Sequence, residues 1–243
     1  PVAQENLFFH VAGLIKNGNI VAIKNTGGYL LCCDAANEAA IKKLRQRKNR
    51  PRKPFAVLYP SIERLEQDLH VPEEEKKELK CVQSPIVIIS SKNFSGKLCV
   101  DHIASGLGHL GIMLPYSAIL QLLTEALQIP IIATSGNIHG SPILSENHKA
   151  LEELAGVADY FVQHHLEIRN PQDDSVIKFS PKYRHRIIFR RSRGFAPGYF
   201  GEIASNGEKI LALGAHLKSS VSFLPNDHLY ISQYLGNLDN ADV

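Results

Sequence analysis

Between Lys42 and Lys53 the chain places eight Lys or Arg residues in twelve positions, with no acid among them, and Pro54 closes the run before the apolar stretch FAVLY. Cations at this density, if they converge, suit a triphosphate, with Lys as a point charge and Arg as a bidentate donor to phosphate oxygens. A helix would spread them around its cylinder. A helix over 35–47, capped by Asp34 and with Ala36, Ala40 and Leu44 on one face, has to stop at Asn49 and Pro51. Lys48, Arg50, Arg52 and Lys53 therefore fall on an extended connector, which can aim several charges at one point. A solvated basic face is the alternative for the same run.

Other segments end apolar runs with residues that suit a ligand. In KNTGGYLL (24–31) the backbone N–H groups and the hydroxyl around Lys24, Thr26, Gly27 and Gly28 can cradle an anion or a planar acyl group, or the two glycines can simply turn a hairpin. The spacing is not that of a GxxxxGK phosphate loop. In IATSGNIHGSP (132–142) Ser135 and Asn137 can hydrogen-bond a nucleotide where glycines permit close backbone approach, although a plain turn uses the same residues. Ser175, opening a strand after Asp174, is a candidate phosphate contact, and RRSRG (190–194) adds three cations. GLGHLG (106–111) has the form GxGxxG but leads into a strand rather than a helix, which excludes a dinucleotide fingerprint. His164, His165, Asp173 and Asp174 match no metal-ligand spacing, and adjacent His residues on an extended segment face opposite ways, so no metal site is expected.

The elements that must position these residues are those of an α/β fold. Short apolar, β-branched runs at 20–24, 55–59, 85–90, 111–115, 130–134, 159–163, 175–179 and 186–191 alternate with helical patterns at 7–15, 35–47, 62–69, 73–79, 117–127 and 146–154. PIVII and PIIAT lack polar alternation, as strands covered on both faces do. After Phe195 the segment APGYFGEIASNGEK reads as a linker. Three apolar runs then form a small antiparallel meander, too short to enclose its own core. The expected division is one domain over 1–203 and the opening strands of a second, truncated one over 208–243.

With 243 residues, 44% hydrophobic, and a net charge of +3, the chain is globular rather than disordered, and its basic character is local. Cys32, Cys33, Cys81 and Cys99 show no CxxC spacing and point to reduced thiols in a cytoplasmic protein. No apolar stretch approaches the roughly 18 residues of a membrane span, so no membrane role is expected. An RNA-binding role for the basic connector is weakened by the absence of Trp, 7% aromatics and no aromatic between Lys42 and Pro54.

Taken in order, KNTGGYLLCCDA, LRQRKNRPRKPFAVL, SPIVII, GIMLP, IATSGNIHGSPI, DDSVIKF and RRSRGFAPG resemble the YrdC-like domain. More narrowly they resemble its version in the carbamoyltransferases that mature nickel–iron hydrogenases (HypF type). The resemblance implies a twisted, mostly parallel α/β sheet with a basic concave face. It implies binding of ATP, with Mg2+ on the phosphates, and formation of carbamoyl adenylate with release of pyrophosphate. The carbamate would derive from carbamoyl phosphate, and the carbamoyl group would end on a cysteine thiol of a hydrogenase-maturation partner protein. By the same resemblance Lys48 and Arg50 are the catalytic residues, on the triphosphate with Lys53 and Pro54. Lys24, Thr26, Gly27 and Gly28 lie near the carbamoyl group, Ser135 and Asn137 on the nucleotide, and Ser84, Ser175 and Arg193 on phosphate or adenylate. The tail from LGAHLKSSVSFL to YISQYLGNL resembles the start of an actin-like, Kae1-like domain. Alternatives are threonylcarbamoyl-adenylate synthesis for tRNA modification, as in single-domain relatives, and an RNA-binding module. Leu30, His139 and Pro171 depart from the usual His, Ser and Arg of the hydrogenase type, and Tyr234 and Asn237 from its His and Asp.

Overall fold

The computed structural model describes residues 7–138, 141–216 and 219–236, apart from the side chains of Tyr199 and Phe200; His139 and Asn237 lie outside these ranges. The first helix, α1 (Leu7–Lys16), buries Val11, Ala12 and Ile15, one stripe of a 3.6-residue repeat. A two-residue turn at Thr26 and Gly27 joins β1 (Val21–Asn25) to β2 (Gly28–Asp34), with Asn25 paired to Gly28. The glycines thus turn a hairpin, and its second strand runs on through the buried Cys32 and Cys33.

Next, α2 (Glu38–Arg47) begins three residues later than the sequence suggests. Its cap is Asn37, whose Oδ1 accepts from the Ala40 N–H at 3.0 Å, and not Asp34, whose carboxylate accepts from the Ala36 N–H at 2.8 Å and closes a local turn instead. The chain then continues through β3 (Ala56–Leu58), α3 (Ile62–Asp68), α4 (Glu73–Lys80), β4 (Ile86–Ser90), the one-turn α5 (Val100–Ile103) and β5 (His109–Met113). It completes the first layer set with α6 (Ala118–Leu127), β6 (Ile131–Ser135), α7 (Asn147–Glu153), β7 (Tyr160–Val162), β8 (Val176–Phe179) and β9 (Arg186–Arg190).

These nine strands form one sheet in the order β7-β1-β2-β6-β3-β5-β4-β8-β9. The α/β class holds, but the sheet is mixed rather than mostly parallel: β1·β7, β3·β5 and β4·β8 are parallel, and the other five pairings are antiparallel. The reason is topological. A two-residue turn forces β2 against β1, and β4 lies between β5 and β8 with β5 reversed beside it. One face carries a core with Ala40, Ile41 and Leu44 of α2, Leu65 of α3, Leu79 of α4 and Ala150 of α7. The other face is packed by α1 and α6 against β1, β2, β6 and the ends of β3 and β5.

A second, four-stranded sheet follows, with β10 (Tyr199–Glu202), β11 (Ile210–Leu213), β12 (Val221–Leu224) and β13 (His228–Ile231) in the antiparallel order β10-β13-β12-β11. The expected meander is there. It has gained β10, which pairs with β13 and which the small-residue composition of its surroundings disguised as linker. Among the described residues no helix is long and apolar enough to cross a membrane.

Candidate functional site

Residues paired across a sheet share a face, so the register places Ala133, Ala56 and Gly111 side by side on β6, β3 and β5. Three small residues in a row leave a trough in the sheet surface beyond α1 and α6. Leu30 and Ser135, themselves partners, bound it on one side, and Ile86, Ile88 and Val176 on the other. The cleft above encloses about 250 Å³, and its polar lining includes Arg50, Lys53, Tyr116, Thr134, Asp173 and Arg190. Among the residues expected from sequence, Gly27, Gly28, Arg50, Lys53, Pro54 and Ser135 line it, while Lys24, Thr26, Lys48, Ser84, Asn137, Ser175 and Arg193 do not.

The basic run divides by the partners its members find. Lys42 pairs with Glu38, and Lys43 and Arg47 both pair with Asp159 at 2.7 Å, away from the cleft. Burial raises the Asp159 carboxyl, but the hydrogen bond from the Ile20 N–H at 2.8 Å, and then those from Lys43 and Arg47, bring it down to about 2. Arg45 builds the connector: its guanidinium donates to the carbonyls of His102, Ile103, Arg50 and Lys53 at 2.8–3.1 Å and lies 4.3 Å from the Phe55 ring centre. Arg50 lies 4.8 Å from that same ring and donates to Thr134 Oγ1 at 2.8 Å and to the carbonyls of Lys53 and Pro54. The helix does stop where expected, but the connector turns and bends rather than running extended: Lys48 is the helical C-cap of α2, Asn49 has φ +49°, and Phe55 sits beneath one guanidinium from α2 and one from the connector.

Lys48 ends α2 and is buried. Its Nζ donates to the carbonyls of Ser135 and Asn137 and, at 2.7 Å, to Asn137 Oδ1, which also accepts from Ser135 Oγ at 2.9 Å. In this arrangement Lys48 pins the end of β6 rather than facing the cleft. Burial, reinforced by the charges of Arg50 and Lys53, pushes its ammonium down to about 7. An anion that neutralises Arg50 and Lys53 removes that repulsion and raises the value, so above pH 7 the complex holds more protons than the free protein. Binding of ATP at pH 8 should then take up part of a proton, and affinity should fall as pH rises through this window. Calorimetry in buffers of different ionisation enthalpy measures the uptake, and Lys48→Met should abolish it; the same uptake in that variant would refute the assignment.

The remaining displaced residues have structural reasons. Ser175 is fully buried; its hydroxyl donates to Arg193 O and accepts from the Ser192 N–H, both at 2.8 Å, so it ties β8 to the loop after β9 and is not part of the cleft lining. Ser84 turns its hydroxyl to Cys81 O at 2.9 Å and offers its carbonyl to Arg193 at 2.7 Å. Arg193 also pairs with Asp174 at 2.9 Å and stacks 3.4 Å from the Tyr116 ring centre, which leaves it behind the cleft wall. Buried Lys24 donates to His164 O at 3.3 Å on the opposite face, and Thr26 is exposed at the hairpin turn. The cation that does line the cleft from this region is Arg190, which the register shift in β8 and β9 sets opposite Val176; plain alternation along RIIFR would have put it on the face of Ile188 instead.

A model of the Sua5/YciO/YrdC family, described as telomere recombination, matches residues 13–192. The chain belongs to the Sua5/YciO/YrdC family. The family match runs from within α1 to just past β9, and a model of the HypF Kae1-like domain matches residues 205–243, from β11 onward. The chain is 38% identical over 239 residues to the carbamoyltransferase HypF of Synechocystis sp., covering 98% of this chain and 30% of that protein. It is similar at 38% identity and a TM-score of 0.87 to the crystal structure of full-length HypF in its phosphate- and nucleotide-bound form, across 100% of this chain and 37% of that one. A threonylcarbamoyl-AMP synthase of Pyrococcus abyssi is 30% identical over 148 residues, 60% of this chain and 43% of that protein. The Sua5/YciO/YrdC match is thus accompanied by relatives of which this chain spans about a third of the length.

Proposed function

We propose that the cleft binds ATP and forms carbamoyl adenylate as one step of a carbamoyltransferase. A carbamate oxygen attacks the α-phosphorus, the bond to the bridging oxygen breaks, and pyrophosphate leaves with Mg2+ on its phosphates. Arg50 and Lys53 neutralise the triphosphate, while Lys48 holds Ser135 and Asn137 beside the nucleotide and contributes its charge from behind. The carbamate would come from carbamoyl phosphate, and the carbamoyl group would pass to a cysteine thiol of a protein that matures nickel–iron hydrogenases. The observation that carries this reading is the presence in one cleft of three cations, Arg50, Lys53 and Arg190, and a flat, small-residue floor. The cations suit phosphates, and the floor suits a planar base. The HypF names and the nucleotide-bound state of a relative support it.

Titration of magnesium ATP into the chain and into Arg50→Ala tests the reading. Loss of one charge-assisted phosphate contact should cost about 1.5–3 kcal/mol, a roughly 10- to 150-fold weaker complex. Folded wild-type chain that binds no ATP would overturn it, and so would pyrophosphate release that stays at background when ATP, Mg2+ and carbamate are all supplied. Similarity to a threonylcarbamoyl-AMP synthase favours threonylcarbamoyl-adenylate formation as the second reading. Threonine-dependent pyrophosphate release distinguishes it. The match of residues 205–243 to the HypF Kae1-like domain ranks the carbamoyl reading first.

A further inference from the structure

Two consecutive residues that follow β13 touch two residues that line the cleft. Gln172 Nε2 donates to Gln233 Oε1 at 2.5 Å, and the Arg190 guanidinium lies 5.9 Å from the centre of the Tyr234 ring. The contact is anchored by backbone. The Tyr234 N–H donates to Arg191 O at 2.7 Å, and the Arg191 guanidinium donates to the carbonyls of Ile231 and Ser232 and, at 2.7 Å each, to those of Phe195 and Gly198. Arg190 stands at the boundary of two cavities. It lines the cleft, and with Tyr234 it lines a space between β9 and the second sheet that includes Ser219 and Ile231. Its Nε donates to Asp174 O at 2.6 Å, and Asp173 lies 3.6 Å from Nη1. Backbone carbonyl, carboxylate and ring thus hold one guanidinium from three sides, and the ring is the side that belongs to the second sheet.

We infer that Tyr234 is a positioning residue for the cleft, holding Arg190 at its wall so that anion affinity depends on the docking of the second sheet. This rests on the nucleotide reading of the cleft. A long cation left unrestrained loses its rotamer freedom when a ligand arrives, while one already held against a ring does not. The ring face is what matters at this distance, and the tyrosine hydroxyl is not needed.

The test is calorimetric titration of magnesium ATP into the 243-residue chain and its variants, with thermal midpoints recorded alongside. Tyr234→Leu, which keeps bulk but has no aromatic face, should weaken binding about threefold to tenfold, and Tyr234→Phe should stay within about twofold of wild type. In an Arg190→Ala background, Tyr234→Leu should change the dissociation constant by less than about twofold, because the residue through which it acts is gone. Wild-type affinity in Tyr234→Leu, or an undiminished loss in the Arg190→Ala background, overturns the positioning role and leaves the nucleotide reading intact. Absence of ATP binding by the folded wild-type chain overturns both.

Discussion

Phe55→Ala should lower stability by about 3–5 kcal/mol and weaken ATP binding in the protein that stays folded. The ring is 1% exposed and belongs to the larger core, so truncation leaves a cavity that neighbours fill only in part. The same ring is the surface on which the Arg45 and Arg50 guanidiniums lie, at 4.3 and 4.8 Å. Without it the two cations repel one another with nothing between them, and the four carbonyl bonds of Arg45 lose their backing. Phe55→Leu separates the two roles. It retains most of the apolar volume and should cost about 1–2 kcal/mol in a urea titration, yet it offers no aromatic face and should still weaken ATP binding several-fold. Unchanged ATP affinity in Phe55→Leu would show that the ring serves the core alone.

Gly28→Ala should cost about 2–5 kcal/mol of stability. The glycine has φ +144°, where side chains are strained, and an added Cβ would lie 2.6 Å from Ile143 Cγ1 and 2.9 Å from Leu144 O. Leu144 O accepts the Tyr29 N–H at 2.8 Å, so relief of the clash means moving the 141–144 segment off the hairpin. Ser141 O accepts from Asn137 Nδ2 at 2.6 Å, and the displacement therefore reaches the Lys48 cluster. Equilibrium unfolding measures the loss. Stability within about 0.5 kcal/mol of wild type would mean that this segment yields freely.

The elements that sequence made legible are those whose apolar period is unbroken. α6 was legible as a helix, although the face expected from Ile119, Leu122, Leu123, Ala126 and Leu127 is rotated from the one that is buried, Leu120, Leu123, Thr124 and Leu127, with Leu122 exposed; β4 and β6 were legible as short β-branched runs. β2 was not read as a strand: GYLLCCD is buried on both faces, shows no alternation, and follows glycines that fit a loop as well as a hairpin. Strand direction was hidden because it is set by which strands become neighbours, a long-range outcome that local pattern does not encode. At the site, the connector was legible from charge and proline, as were Arg50 and Lys53. The inward turn of Lys48 was not, because it depends on carbonyls 87 and 89 residues away. Nor was the choice of Arg190 over Arg193, which hangs on the bulge that shifts the register between Val176 and Ile177.

The row formed by Ala133, Ala56 and Gly111 gives the cleft an adjustable depth. Each position lies on a strand whose backbone is fixed by ladder bonds on both sides, so a larger side chain there raises the floor without moving the walls. At Gly111 the first added carbon would already sit 3.0 Å from Ile86 Cγ2. On the proposed reading of the cleft, discrimination between a slim planar guest and a thicker one would be set by the volume of three side chains, separately from the cations that would hold its charged end. A chemist could change one selectivity while leaving the other in place.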